Sequence, residues 1–192
     1  MLIRRLAILL IATLMMPAWA ELGAGEAAPR FEARASLAGK AFDFSLAEAL
    51  GRGTVVVYFY PSAYTQGCNL QAREFARNLR NFQAAGASVI GVSLDSIERL
   101  NDFSDDPEYC AGKLPVASDP DGSIARSFGL AITGARSGMK DTRGVEIGHG
   151  FAERTTFIIT SDGRIGQTIG GVSPTENVQR SLQAVRRLTA GQ

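Results

Sequence analysis

The stretch VVVYFYPSAYTQGCNLQAREF, residues Val55 to Phe75, decides how this chain folds. Val55 to Tyr60 is an apolar run of strand-forming residues, halted by Pro61, which has no N–H to give a sheet ladder. Cys68 follows after a short turn. From there Ala72, Phe75, Ala76, Leu79 and Phe82 recur at three- and four-residue spacing, which predicts a helix with one buried face. A cysteine is thereby placed where a buried strand hands over to a helix N-terminus. Unpaired backbone N–H groups and the positive end of the helix dipole converge there, and both favour a thiolate over a thiol.

Working outward, Gly86 is the expected residue just past the helix, and Ala87 to Leu94 reads as a second buried strand. Strand, helix and strand at this spacing make a βαβ unit, so the two strands should be parallel with a right-handed crossover. Asp95-x-x-Glu98 resembles a capping box for a helix running to about Phe103, interrupted at Asp105-Asp106-Pro107. Leu114 to Ala117 is a short strand. A short helix containing Ile124, Ala125 and Phe128 closes at Gly129. Leu130 to Gly150 is Gly-rich, charged and without period, a long loop of the kind that often carries function. Thr155–Thr160 and Arg164–Ile169 flank Ser161-Asp162-Gly163 as a hairpin. Ser173-Pro174-Thr175-Glu176 starts the last helix, with Val178, Leu182, Val185 and Leu188 on its buried face. Upstream, Phe42 and Phe44 alternate as in a half-buried strand, Ser45 to Leu50 suits a short helix, and Glu21 to Arg30 reads as a loose leader. A parallel pair, an antiparallel hairpin and a closing helix give the thioredoxin order. The expectation is an α/β chain with a thioredoxin-like fold, a mixed central β-sheet flanked by helices, in one domain from 21 to 192.

The first 20 residues, MLIRRLAILLIATLMMPAWA, have the form of a secretory signal peptide. Arg4 and Arg5 precede the apolar run Leu6–Met16, and Ala18-Trp19-Ala20 offers a small-x-small cleavage site. The run is too short to span a bilayer, which takes about 20 residues. Removing it leaves 18 basic against 19 acidic residues, so nothing directs the chain to nucleic acid or to a membrane surface. A bacterial periplasm is the expected location.

Pro61-x-x-x-Thr65-x-x-Cys68 resembles the active-site signature of the peroxiredoxins, thiol peroxidases built on a thioredoxin-like fold. YFYP followed by T-x-G-C, with Gln71 three residues after the cysteine, is similar to the bacterioferritin-comigratory (PrxQ-type) branch. The resemblance implies that Cys68 is the peroxidatic nucleophile and that the Thr65 hydroxyl helps to bind the peroxide; Pro61 is expected to fix the turn and shield the site, with no chemical role of its own. It further implies an arginine from a later strand, and Arg154-x-Thr156-Phe157 resembles the segment that supplies it. Many members of this branch carry a second cysteine five residues after the first; here that position is Arg73.

Cys110 is the only other cysteine. In an oxidising compartment a structural disulfide with Cys68 is one reading. The other, which resembles a variant of the PrxQ branch, makes Cys110 the resolving cysteine in a reversible disulfide, and it alone leaves Cys68 free to react. Thr65 can equally cap the helix after it. The only histidine, His149, reads as a loop residue, and one histidine with two cysteines does not make a zinc or haem site, so no metal or cofactor is expected. Tyr64 and Phe151 are candidates for pocket lining. The function expected is reduction of hydrogen peroxide or small organic hydroperoxides, with electrons from a thioredoxin-like dithiol protein, by a monomer. The rival is a non-peroxidase thioredoxin-like module for thiol–disulfide exchange or protein binding. Its usual chemistry requires Cys-x-x-Cys, and Gln71 occupies the second position.

Overall fold

The computed structural model describes residues 21–190, and the expected signal peptide lies outside them. The chain runs β1 (Glu32–Leu37), β2 (Lys40–Ser45), α1 (Leu46–Leu50), β3 (Thr54–Phe59), α2 (Gln66–Ala84), β4 (Ala87–Ser93) and α3 (Ile97–Asp105). It continues through β5 (Val116–Ser118), α4 (Ser123–Ser127), β6 (Ile132–Thr133), β7 (Phe151–Ala152), β8 (Thr155–Ile159), β9 (Ile165–Gly170) and α5 (Pro174–Ala190). Seven strands form one mixed sheet in the order β2-β1-β5-β4-β3-β8-β9, while β6 and β7 pair separately. β3 is parallel to β4 and antiparallel to β8, with Phe59 opposite Thr155. No helix among the described residues is long and apolar enough to cross a membrane.

Every residue of β3 is buried, and its alternation divides the core. Val56 and Tyr58 point to one face, where α2, α3 and α5 contribute Phe75, Phe82, Leu100, Phe103, Val178 and Val185. Val55, Val57 and Phe59 point to the other, against Leu46 and Ala49 of α1 and Ala125 of α4. Tyr58 lies with its ring 5.4 Å from that of Tyr60 and 4.4 Å from that of Phe75. Gly91, its register partner on β4, makes room for it: a Cβ there would sit 2.5 Å from the Tyr58 Cζ. Gly86 has φ +77° and follows α2 as expected, and Pro174 begins α5 with Ser173 Oγ accepting from Glu176 N at 3.3 Å.

Three local expectations change. Residues after Glu21 are not loose: Gly25 N donates to Ile165 O at 2.7 Å and Ile165 N donates to Glu26 O at 2.8 Å. The segment covers the free edge of β9, whose backbone groups need partners. The cap of α3 is Ser96, which accepts from Arg99 N, and not Asp95, whose carboxylate turns inward. The 130–150 loop is anchored at its ends by the β6–β7 pair and folds back on itself through a Lys140–Glu146 bridge.

Candidate active site

The N–H groups of Gln66, Gly67 and Cys68 open α2, before the first helical bond, which runs from Asn69 N to Thr65 O at 2.8 Å. Cys68 stands there as the sequence predicts, yet it is only 1 % exposed. A polar partner separates it from an ordinary packing cysteine: Arg154 Nη2 donates to its Sγ at 3.3 Å. Arg154 reaches the sulfur because it immediately precedes β8, whose first residue pairs with the last residue of β3. The strand that brings it there runs antiparallel to β3. Gly67 clears the way, since a Cβ on it would lie 3.2 Å from the same Nη2.

Two residues fix the guanidinium from behind. Arg154 Nη1 donates to Gln71 Oε1, and Gln71 Nε2 donates to Asn177 Oδ1 at 2.9 Å. Asn177 also accepts from Thr156 Oγ1 at 2.7 Å and donates to Ile169 O at 3.0 Å. Gln71 and Asn177 are fully buried, where an unpartnered amide would cost about 1–3 kcal/mol, so each is held in one orientation.

Half-buried Thr65 occupies the cap position of α2, but its side chain makes no capping bond. Its hydroxyl donates to Ser62 O at 2.9 Å. A hydroxyl has one proton and two lone pairs, so with the proton committed Thr65 presents an acceptor. Pro61 is half-buried at the head of the turn. Between them Tyr64 adopts φ +61°, unusual for a bulky residue.

Residues 24–168 match the model of the AhpC/TSA family. The chain belongs to that family. It is 39% identical over 121 residues to a putative peroxiredoxin of Mycobacterium tuberculosis, covering 63% of this chain and 69% of the relative. It is 33% identical over 111 residues to peroxiredoxin Bcp of Escherichia coli K12, covering 58% and 64% respectively. Among solved structures it is similar to peroxidoxin BcpB of Mycobacterium tuberculosis, with TM-score 0.70, 26% identity and coverage of 87% of this chain and 98% of the other. Xanthomonas campestris peroxiredoxin Q aligns with TM-score 0.64 and 27% identity over 81% and 90% of the two chains. The fold is therefore thioredoxin-like in its peroxiredoxin form, and the protein is a thiol-dependent peroxidase of the oxidoreductase class.

In this peroxiredoxin Cys110 lies in a run of turns after α3, and both cysteines are free and buried. Burial, and secondarily the charge of Asp106, pushes the Cys110 thiol far up, so it is held neutral. Ala111 and Gly112 both have positive φ, 54° and 62°. The segment is tied to α2 by Arg73, whose Nε donates to Glu108 O at 2.8 Å and whose guanidinium lies 5.7 Å from the Tyr109 ring centre. A cleft of about 290 Å³ separates the two, lined in part by Arg73, Arg77, Tyr109 and Lys113. Tyr58 lies near both thiols, and burial is the first cause that raises its phenol above the ordinary value.

The sequence reading passed over the supports of the active-site turn. Asp95, with no exposed side-chain surface, accepts from Ser62 Oγ at 2.8 Å, Ala63 N at 2.7 Å, Ser93 Oγ at 2.8 Å and His149 Nε2 at 2.8 Å. Arg99 Nε makes an ion-pair contact with it at 2.9 Å, and Arg99 Nη2 pairs with Asp141 at 2.7 Å. Asp141 in turn holds Arg143, whose guanidinium lies 3.3 Å from the Tyr64 ring centre. Thr142 donates to Tyr64 O from both N, at 2.9 Å, and Oγ1, at 2.8 Å. Tyr64 is buried beside Phe103 and Tyr109, where its ring packs the turn. Phe151 is buried in β7, its ring 5.8 Å from that of His149.

Proposed function

We propose that Cys68 reduces hydrogen peroxide and small organic hydroperoxides, and that Cys110 resolves the product. The observation that carries this is Arg154 Nη2 at 3.3 Å from the Cys68 sulfur, a cation beside the one cysteine that begins a long helix. The Cys68 thiolate attacks the nearer peroxide oxygen. The S–O bond forms as the O–O bond breaks, giving sulfenic acid and an alkoxide or hydroxide that takes a proton and leaves as alcohol or water. Thr65, its proton given to Ser62, accepts from the peroxide O–H, while the Arg154 guanidinium stabilises charge on the separating oxygens.

In the second step Cys110 displaces the hydroxyl of the sulfenic acid, forming a disulfide and water. A neutral thiol is a poor nucleophile, and Cys110 is buried and neutral in this conformation. The turns at 106–114 therefore open to deliver it, and the positive φ of Ala111, strained for a residue with a Cβ, supports a segment that opens easily. A dithiol protein of the thioredoxin type then exchanges with the disulfide and restores both thiols. Residues 1–20 support delivery to the periplasm, and a monomer suffices for every step.

Intact mass of the reduced mature protein after one equivalent of hydrogen peroxide tests this reading. Loss of two hydrogens with a Cys68–Cys110 cross-link is expected. A gain of oxygen on Cys68 with Cys110 still free would make the cycle one-cysteine in mechanism. No reaction at Cys68 would remove the peroxidase reading.

A further inference from the structure

Both nitrogens of the His149 ring face obligate acceptors. Nδ1 lies 2.7 Å from the Gly150 carbonyl oxygen and Nε2 lies 2.8 Å from Asp95 Oδ1. A neutral imidazole carries one N–H and would set a lone pair against one of these oxygens. Only the imidazolium satisfies both. Asp95 passes this on to the catalytic turn, since its two oxygens take Ser62 Oγ and Ala63 N. Ser62 then offers the carbonyl that takes the Thr65 proton. Asp95 and Ser62 thus connect a histidine in the long loop to the Thr65 hydroxyl.

We propose that His149, as an imidazolium paired with buried Asp95, is a positioning residue for peroxide reduction: it fixes the Ser62–Ala63 backbone and so commits Thr65 to accepting from the substrate. This rests on Cys68 being the peroxidatic residue. The groups that face the ring are Asp95 after β4, Ser62 of the turn with Oγ at 3.5 Å, the Gly150 carbonyl, Phe151 of β7 and Arg99 of α3, whose like charge disfavours the imidazolium. Arg99 is itself paired with Asp141 at 2.7 Å. Burial pushes the His149 pKa down, but the hydrogen bond and charge of Asp95, joined by the Gly150 carbonyl, carry it above its ordinary value. Asp95 responds in kind: burial raises it, and His149, Ala63 and Ser93 together hold it below the usual carboxylate value.

When His149 loses its proton, one of its two links becomes a repulsion and Asp95 loses its cation on that side. The turn then loses a support while Cys68 and Arg154 are untouched. That separates positioning from chemistry.

His149 is the sole histidine, so the untagged wild-type protein gives one imidazole signal by NMR. Both ring nitrogens are expected to be protonated at pH 6.5, with the titration midpoint above that value. A neutral ring at pH 6.5 would overturn the proposal without any variant. The second measurement is the rate constant of Cys68 oxidation by hydrogen peroxide in wild type and His149→Gln, from pH 5.5 to 9. The two rates are compared at each pH. Their ratio should be on the order of tenfold where the imidazolium persists, the size of one charge-assisted hydrogen bond, and fall toward one as the NMR midpoint is passed. A ratio that is flat with pH, or equal to one throughout, sinks the proposal while leaving wild-type turnover intact. Failure of wild-type Cys68 to react at any pH sinks the functional reading as well.

Discussion

A Cβ on Gly67 would lie 3.2 Å from the Arg154 nitrogen that contacts Cys68. The position is in the first turn of α2, where alanine is a better helix residue than glycine by up to about 1 kcal/mol. Gly67→Ala therefore sets local stability against site geometry. The expected variant melts no lower than wild type, yet it oxidises Cys68 about tenfold more slowly, because the guanidinium must shift by a few tenths of an ångström. Thermal denaturation and peroxide consumption, measured on the same sample, check the split. Equal rates would show that Arg154 has slack this structure does not display.

Arg154 is committed twice, to Cys68 through Nη2 and to Gln71 through Nη1. A lysine carries the charge but not the fork, so Arg154→Lys should lose about 100-fold in the rate of Cys68 oxidation. Gln71→Leu removes the acceptor behind the guanidinium and leaves Asn177 Oδ1 to Thr156 alone. About tenfold loss is expected there, with Cys68 and Arg154 both still present. Steady-state peroxide reduction at saturating dithiol reports both. If Gln71→Leu matches wild type, the buried amide pair holds the fold and not the arginine.

The parts of this site that were legible in the sequence are those whose signal is local. Val55–Tyr60, Pro61 and the helical spacing after Cys68 identify a strand, a turn and a helix from adjacent residues, and the fold follows from them. In the sequence Gln71 stands out only through its place after Cys68 and Asn177 not at all, because the bond that joins them spans 106 positions, and no spacing rule reaches so far. Asp95 misled for a related reason. Its place before Glu98 suits a capping box, and the cap signal is local, whereas its five partners come from the turn, β4, α3 and the long loop. The 130–150 loop has no period because its residues serve the active-site turn one at a time, Thr142 at Tyr64 and His149 at Asp95.

Arg73 stands where a nearer second cysteine would be, and it holds the Cys110 segment through Glu108 and Tyr109. The salt bridge to the Glu108 carboxylate is 3.7 Å long and exposed, and contributes little. The hydrogen bond to the carbonyl and the ring contact are the restraints that count, each worth about 1 kcal/mol. Arg73→Ala removes both restraints and should therefore release the segment more readily and speed disulfide formation about 30-fold. Excess peroxide then meets less free sulfenic acid, so the sulfinic form should fall relative to disulfide. Mass spectrometry of samples quenched after a peroxide pulse gives that ratio; an unchanged ratio would mean that Arg73 does not restrain Cys110.

The pair of buried Asp95 and half-buried His149 also makes stability depend on pH in two directions. The folded pKa of His149 is raised above 6.5, so its contribution is complete below 6.5 and disappears as pH rises through the higher folded value. The folded pKa of Asp95 lies below 3.8, so its contribution is complete above 3.8 and disappears as pH falls through the lower folded value. The pair is thus at full strength between about pH 4 and 6.5. Removing one member of a buried pair typically costs about 3–5 kcal/mol, so Asp95→Asn should be severely destabilised in that window. His149→Gln keeps one donor and should lose less. Urea unfolding of wild type and His149→Gln at a series of pH values should show the largest difference between pH 4 and 6.5, shrinking above it. A difference that grows toward pH 9 would mean that the neutral ring is the stabilising form, and the ion-pair account of this turn would fail.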